Sequence, residues 1–222
     1  MSRKSSLTSM LDEPLPSTAV TEKPEDGRVL RGQRTREAVI DALLELHAEG
    51  NLTPTIEQIA ERVGRTTRAI YQHFQDKEAL AAAIGERQLR THSELFRAHP
   101  VEGDLPQRIS GIAGHRAELF EVVAPARRSA LVRLHASPEL QKQQTGLAAH
   151  LRDQVAKTFE PELSELEVDA AADTLELLDL HTSWDTWERL RTWQGLSVER
   201  VKQLVSGLIT QALAPFRGGD RG

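Results

Sequence analysis

The sequence predicts an all-α fold in which three short helices near the amino terminus precede a larger helical bundle. Apolar residues recur at spacings of three and four through most of the chain beyond residue 32, which is the period of an amphipathic helix. Ser, Thr and Asp stand where these segments begin, and Gly stands where several of them end, as helix caps do. No segment shows the alternation of a strand convincingly, and no internal repeat is present.

The composition excludes several classes of protein. The chain has 222 residues and no cysteine, so disulfide frameworks, zinc–thiolate sites and thiol nucleophiles are excluded. No apolar run is long enough for a transmembrane helix, and Arg3 and Lys4 are not followed by the apolar core of a secretory signal. We therefore expect a cytoplasmic protein without a membrane partner.

The net charge of −5 does not by itself suggest binding to a polyanion. Its distribution is more informative, because residues 28–80 carry eight basic and eight acidic groups and are neutral, whereas both flanking regions are acidic. Any affinity of this segment for DNA must come from a few well-placed cations and backbone amides.

Cap signals define four helices after a polar, proline-containing amino-terminal tail. The first helix starts near residue 32 and ends at Gly50. Thr55 begins a second helix with a capping box, and Gly64 ends it. Thr66 caps a third helix that runs to about residue 74, and Asp76 caps a fourth that runs to about residue 98.

The remaining chain is predicted to form five further helices. Pro138 favours a helix start and Pro161 a helix end, while Gly195 and Ser197 separate the last two helices. The predicted spans are roughly 105–123, 126–136, 138–159, 167–193 and 197–214.

The second and third helices have the spacing of a helix-turn-helix. Ala60 is small enough for a second helix to cross closely, Gly64 lies where the backbone must reverse, and Ile70 faces inward. Chance occurrences of this pattern are common, but the flanking residues extend it. The matching residues are Ile59-Ala60, Gly64, Ile70-Tyr71, His73-Phe74 and Lys77-Glu78-Ala79-Leu80.

Over about 50 residues this pattern resembles the tetracycline-repressor (TetR) family of bacterial regulators. Arg65, Thr66 and Ala69 depart from the family pattern, and Ala69 cannot donate a hydroxyl to a phosphate. The resemblance implies a three-helix helix-turn-helix DNA-binding domain followed by a helical ligand-binding and dimerisation bundle. The implied organisation is a disordered tail over 1–30, a DNA-binding domain over 31–80 with a linking helix to about 98, a ligand-binding and dimerisation domain over 81–217, and a disordered tail over 218–222.

The resemblance and the chemistry of base edges assign roles on the DNA side. Thr67, Arg68 and Gln72 are base-reading types on one short helix. Tyr71, His73 and Lys77 resemble the family's phosphate clamp, although Tyr71 and His73 could instead pack internally, and Arg65 could be a solvated turn residue. The complete set of DNA-binding candidates is Arg34, Arg36, Thr55, Arg65, Thr66, Thr67, Arg68, Tyr71, Gln72, His73 and Lys77.

The last two predicted helices are apolar over more than one face, which favours a homodimer interface. The candidates for this interface are Leu175, Val201, Val205 and Leu208. A two-fold dimer would present two recognition helices to a palindromic operator in double-stranded DNA. The resemblance further implies a pocket for an unidentified small-molecule effector, with His115, Phe120, His181 and Trp184 as candidate lining residues, although a tryptophan cluster is more often core.

Two other classes of function compete with a DNA-binding regulator. An enzyme is disfavoured because no metal-binding histidine motif, phosphate-binding glycine loop or nucleophile motif is present, so no cofactor or metal is expected. A helical interaction or architectural protein without specific DNA readout remains the alternative. The sequence does not separate a repressor, the commonest role in the family, from an activator.

Overall fold

The computed structural model describes residues 27–97 and 99–214, and these residues form helices joined by short turns, without a strand. A 3-10 turn at Leu134–Ala136 and a π-helical segment at Arg189–Trp193 complete the regular structure. The helices are α1 (Gly27–Ala48), α2 (Ile56–Val63), α3 (Thr67–Tyr71), α4 (Lys77–Thr91), α5 (Ser93–Arg97), α6 (Leu105–Val132), α7 (Pro138–Thr158), α8 (Glu160–Leu163), α9 (Val168–His181), α10 (Trp184–Glu188) and α11 (Val198–Ala212). The predicted all-α fold is confirmed.

The first helix is longer than the sequence indicated. It begins at Gly27 instead of near residue 32, so residues 27–30, which were assigned to a disordered tail, are helical. The rest of that tail and the tail expected at 218–222 lie outside the described residues. The predicted fourth helix divides at His92, where the backbone leaves the helical region, into α4 and the five-residue α5.

Two predicted boundaries in the carboxy-terminal half are wrong. The break expected between residues 123 and 126 does not occur, because α6 continues through Pro125. Buried Val123, Ala124 and Ser129 hold the helix on both sides of the proline, so packing outweighs one missing hydrogen bond. The helix predicted over 167–193 ends at His181, because the Ser183 hydroxyl accepts the Thr186 amide at 3.2 Å and caps a new helix.

The described residues fall into two compact units. The first contains residues 27–93 together with Val123–Gln141, and we call it the amino-terminal unit. The second contains Glu94–Val122 and the chain from Lys142, and we call it the carboxy-terminal unit. Because α6 runs from Leu105 to Val132, this one helix contributes to both units.

The amino-terminal unit has its own apolar core. Helices α1 and α2 pack together, α2 packs on α3, and α1 packs on α4. Val39, Ile59 and Ile70 are at most 1% exposed, and Phe74 closes the core beside them. Burial of these side chains fixes which faces of α2 and α3 point outward.

The carboxy-terminal unit packs α9 against α11 and buries a second core. Leu178 of α9 and Val201 and Ile209 of α11 are completely buried. The Arg108 guanidinium forms a two-pronged ion pair with the Glu162 carboxylate, at 2.6 and 2.8 Å. None of the helices in the described part of the chain has the length and apolar character needed to cross a bilayer.

Candidate DNA-binding surface

Helix α2 is fixed at its start by a reciprocal cap. The Thr55 hydroxyl accepts the Gln58 amide at 3.3 Å, and the Gln58 side-chain oxygen accepts the Thr55 amide at 2.9 Å. This is the capping box that the sequence predicts, and it satisfies two backbone donors at once. It also means that the backbone amide of Thr55, one of the DNA-binding candidates, is already engaged within the protein.

The turn between α2 and α3 depends on Gly64. Its φ of 65° and ψ of 40° lie in the left-handed region, and its amide donates to carbonyl oxygens at the end of α2. Thr66 then caps α3, because its hydroxyl accepts the Ala69 amide at 3.3 Å. These local bonds set the direction in which α3 leaves the turn.

The surface formed by α3 and its flanking turns is polar and accessible. Arg68, Tyr71 and Gln72 are exposed on α3 or at its end, and Thr67 is half-buried at its first turn. Tyr71 is 55% exposed, which is unusual for a tyrosine ring that serves only packing. Arg34, Thr55, Arg65, Thr66 and Lys77 are also exposed, whereas Arg36 and His73 are half-buried.

Arg36 is held by contacts within the protein. Its guanidinium stacks on the Phe74 ring, 4.5 Å from the ring centre, and donates to the His73 carbonyl oxygen at 3.2 Å. These contacts join α1 to the turn that follows α3. The side chain therefore positions the recognition helix, a role that the sequence did not reveal because the stack joins residues distant in the chain.

Glu57 places a carboxylate at the amino-terminal end of α2. A hydrogen bond from its own amide, followed by one from the Thr55 side chain, lowers the pKa of this carboxyl below its usual value. The resulting negative charge occupies the end of the helix that would otherwise favour a phosphate.

Lys77 lies in the first turn of α4, which Asp76 caps by accepting the Ala79 amide at 2.7 Å.

The candidate effector residues lie in the carboxy-terminal unit and are mostly packed. Phe120 and Trp184 are 1% and 4% exposed, and their rings meet edge to face at 5.6 Å. The ring nitrogens of His115 bond to the Leu95 carbonyl oxygen and to Arg116, and burial followed by the charge of Arg116 lowers its pKa to about 4. His181 is half-buried, and its Nδ1 finds no hydrogen-bond partner among the described residues.

The candidate dimer residues are divided by the structure. Val201 and Val205 are 0% and 2% exposed, so they belong to the core of the protomer and cannot face a second subunit, which corrects the sequence assignment. Leu175 and Leu208 are half-buried. The apolar residues that reach solvent on α9 are Val168, Leu177 and Leu180, which are 82%, 47% and 56% exposed.

The segment that forms this surface is similar in sequence to known bacterial regulators. Residues 39–84 match the family model described as bacterial regulatory proteins, tetR family. Over 74 residues the chain is 39% identical to the HTH-type transcriptional regulator SrpR of Pseudomonas putida, a match that covers 32% of this chain and 30% of SrpR. The match therefore spans less than a third of that regulator's length.

Solved structures extend the likeness to the whole fold. A transcriptional regulator from Rhodococcus sp. Rha1 has a TM-score of 0.63 at 16% identity, with 81% of this chain and 96% of that chain covered. The complex of SmeT with triclosan has a TM-score of 0.57 at 23% identity, with 81% and 91% covered. These TM-scores show that the folds are alike.

Proposed function

We propose that this chain, whose residues 39–84 match the family model described as bacterial regulatory proteins, tetR family, is a sequence-specific DNA-binding transcriptional regulator. In this proposal the chain is a repressor that a small-molecule inducer releases from a palindromic operator; activation is the alternative. It acts in the cytoplasm and works by binding, without catalysis.

The observation that carries the proposal is the exposed polar edge of α3. Burial of Ile70 and Phe74 turns the opposite side of the helix outward, and Arg68 and Gln72 lie on that accessible side. Arginine pairs with the O6 and N7 atoms of guanine and glutamine with the N6 and N7 atoms of adenine. Tyr71 and Lys77 flank these two side chains and would bind the phosphate backbone.

The regulator would bind DNA as a homodimer. Helices α9 and α11 pack together, and their accessible sides carry Leu177, Leu180 and Leu208. Pairing these sides across a two-fold axis would cover leucines that a monomer leaves in water. It would also double the number of base contacts and require an operator with two half-sites.

An effector would act through the carboxy-terminal unit. The SmeT structure, which has a similar fold, is a complex with triclosan. The contacting rings of Phe120 and Trp184, together with His115 and His181 of the same unit, are the candidate effector residues here. A ligand shifts the equilibrium between DNA-competent and incompetent states only by its difference in affinity for the two, and α6, which contributes to both units, is a direct route for that coupling.

The test is capture of genomic DNA fragments by the purified full-length protein at near-physiological salt, followed by sequencing. An Arg68→Ala/Gln72→Ala variant is run in parallel. The matched control is Arg189→Ala/Gln194→Ala, which also removes one exposed arginine and one exposed glutamine, but from the carboxy-terminal unit.

We expect one palindromic motif from the native protein and the control, and loss of that motif in the α3 variant. Loss of each bidentate base contact should weaken specific binding by about 5- to 150-fold. Uniform capture of all sequences by all three proteins would contradict the proposal and favour an architectural protein. Retention of the motif in the α3 variant would show that α3 is not the reader.

A further inference from the structure

A cavity of about 120 Å³ lies inside the amino-terminal unit, whose residues form all of its lining. Its walls are apolar side chains from three helices, including Leu43 of α1, Ile56 of α2, and Leu80 and Ile84 of α4. Ser129 of α6 closes one side and donates its hydroxyl to the Leu52 carbonyl oxygen at 2.8 Å. The cavity thus sits among the helices that carry and brace the DNA-binding surface.

A buried histidine without a partner borders this cavity. His47 is only 5% exposed, and its Nδ1 has no hydrogen-bond partner among the described residues. Burial, followed by the nearby charge of Arg133, lowers its pKa to about 4, so the ring is neutral near pH 7. A buried polar atom left unbonded costs free energy that a ligand atom bonded to it would recover.

The polar part of the cavity lining carries positive charge. Lys77 and Arg133 both line it. Among the described residues, the Arg133 guanidinium forms an ion pair with the Glu78 carboxylate at 3.4 Å and donates to the Lys77 carbonyl oxygen at 3.3 Å. Lys77 is exposed, so this part of the lining reaches solvent. An apolar chamber with cations near its opening suits a ligand that has an apolar body and one negative end.

We propose that this cavity binds a compact organic carboxylate, with its apolar body among Leu43, Ile56 and Ile84 and its carboxylate near Arg133 and Lys77. A closed apolar cavity of about 150 Å³ admits benzene, so a cavity of about 120 Å³ that is open on its polar side has room for a small ring or short apolar chain whose carboxylate lies at the opening. His47 supplies a neutral hydrogen-bonding group beside the carboxylate. This site is separate from the effector site proposed in the carboxy-terminal unit.

The position of the cavity links ligand binding to DNA binding. Lys77 is also the candidate phosphate contact at the start of α4, and Ile56 is the first residue of α2. A bound carboxylate competes with a DNA phosphate for the Lys77 ammonium. By reciprocity, DNA weakens the binding of the carboxylate by the same factor that the carboxylate weakens the binding of DNA.

The test uses the full-length protein without DNA and 4-fluorobenzoate as the probe, followed by fluorine NMR titration. The neutral isostere 4-fluorobenzamide is titrated in parallel. Because a ligand of this size makes few contacts, we expect a Kd of about 1 mM for the benzoate. The benzamide should bind about tenfold more weakly, because it lacks the charge that Arg133 and Lys77 attract.

A matched pair of variants tests the location. Ala81 lines the cavity, whereas Ala82, the next residue on α4, is exposed and outside the lining. Ala81→Leu fills the cavity and should weaken benzoate binding at least about tenfold, and Ala82→Leu should leave it unchanged. Circular dichroism and thermal unfolding of both variants confirm that each remains folded.

A second pair tests the charge. Arg133→Gln should reduce the preference for benzoate over benzamide, and Arg90→Gln, which removes an arginine of α4 outside the cavity lining, should not. The proposal is overturned if the native protein does not bind 4-fluorobenzoate, if folded Ala81→Leu binds it as well as Ala82→Leu does, or if benzamide binds equally tightly. Equal effects of the two arginine variants would likewise overturn the assigned role of Arg133.

Discussion

At the scale of single residues, Gly64 illustrates a backbone requirement that can be separated from packing. A Cβ added to this residue would meet no atom within 4 Å, so the cost of a side chain is purely conformational. Because φ is 65°, Gly64→Ala should lower the free energy of unfolding by about 1–2 kcal/mol. Gly64→Asn should cost less, since asparagine tolerates this region better.

The matched control for this prediction is Gly85, which lies inside α4 and also has open space around an added Cβ. Its backbone is helical, so Gly85→Ala should raise the free energy of unfolding by about 0.5–1 kcal/mol. Urea unfolding of the three variants measures these values. Equal effects of alanine at the two positions would show that the left-handed conformation of Gly64 is not what the turn requires.

His47 gives a second prediction, on acid stability. Burial and Arg133 lower its pKa from 6.5 to about 4 in the folded protein. As the pH falls below 6.5, the unfolded chain takes up a proton that the folded chain does not, so folding is destabilised until the pH reaches about 4. Between pH 7 and pH 5 this histidine should remove roughly 2 kcal/mol from the free energy of unfolding.

The measurement is urea unfolding at pH 7 and pH 5 for the native protein and His47→Gln. Burial lowers the pKa of His115 as well, so protonation of this second histidine also destabilises the fold in acid. The His47→Gln variant retains this second source of pH dependence. The variant should therefore show a smaller decrease, not a flat profile. His135→Gln, at an exposed position, is the control. An unchanged decrease in His47→Gln would contradict the assignment.

At the scale of helices, Arg34 and Arg36 lie two residues apart on α1 and have different surroundings. Arg34 is exposed, whereas Arg36 stacks on Phe74 and bonds to the His73 carbonyl oxygen. We expect Arg36→Gln to lower the thermal stability of the amino-terminal unit, because it loosens the connection of α1 to the end of α3. Arg34→Gln should leave stability unchanged and should reduce DNA binding through the loss of one phosphate contact.

The two effects can be distinguished by measuring how DNA affinity depends on salt concentration. Each phosphate contact contributes about 0.9 to the slope of log affinity against log salt concentration. Arg34→Gln should make the slope on a mixed-sequence duplex shallower by about that amount, and Arg36→Gln should change it less. Both variants remove one positive charge, so net charge cannot explain a difference. The opposite pattern would assign the phosphate contact to Arg36.

The same helices show how far sequence could predict the fold. The caps at Thr55, Thr66 and Ser197 were predictable, because each bond joins residues within four positions of one another. The continuation of α6 through Pro125 was not, because it depends on burial of residues on both sides of the proline. The cavity was also hidden, since it joins Leu52 and Ser129, which are 77 residues apart in the chain.

Among the candidate site residues, those on α3 could also be predicted from the sequence, whereas those on α11 could not. Helical register and chemistry pointed to Arg68 and Gln72, and both are on the accessible side of α3. The register of α11 was misread, because its apolar residues occupy more than one face and the sequence does not tell which face meets α9. The structure shows that Val201 and Val205 meet the protomer's own core, which leaves Leu208 toward the accessible side.

At the scale of the whole molecule, a protein with a net charge of −5 must bind DNA against its overall charge. A neutral DNA-binding domain gains little from long-range attraction, so the affinity of the proposed dimer would depend on two correctly spaced recognition helices. A monomer would lose half of the contacts. Assembly of the dimer and affinity for the operator are therefore expected to change together.

The exposed leucines of α9 test this connection. Leu177→Glu or Leu180→Glu would place a charge on the proposed contact, where burial without a partner is unfavourable. We expect each variant to sediment as a monomer at micromolar concentration and to lose operator affinity by at least about 100-fold. Val132→Glu changes an apolar residue of similar exposure, 55%, in the amino-terminal unit and should remain dimeric. If the α9 variants stay dimeric and bind the operator normally, the subunits must associate through another surface, because a contact centred on these leucines could not accommodate the added charge.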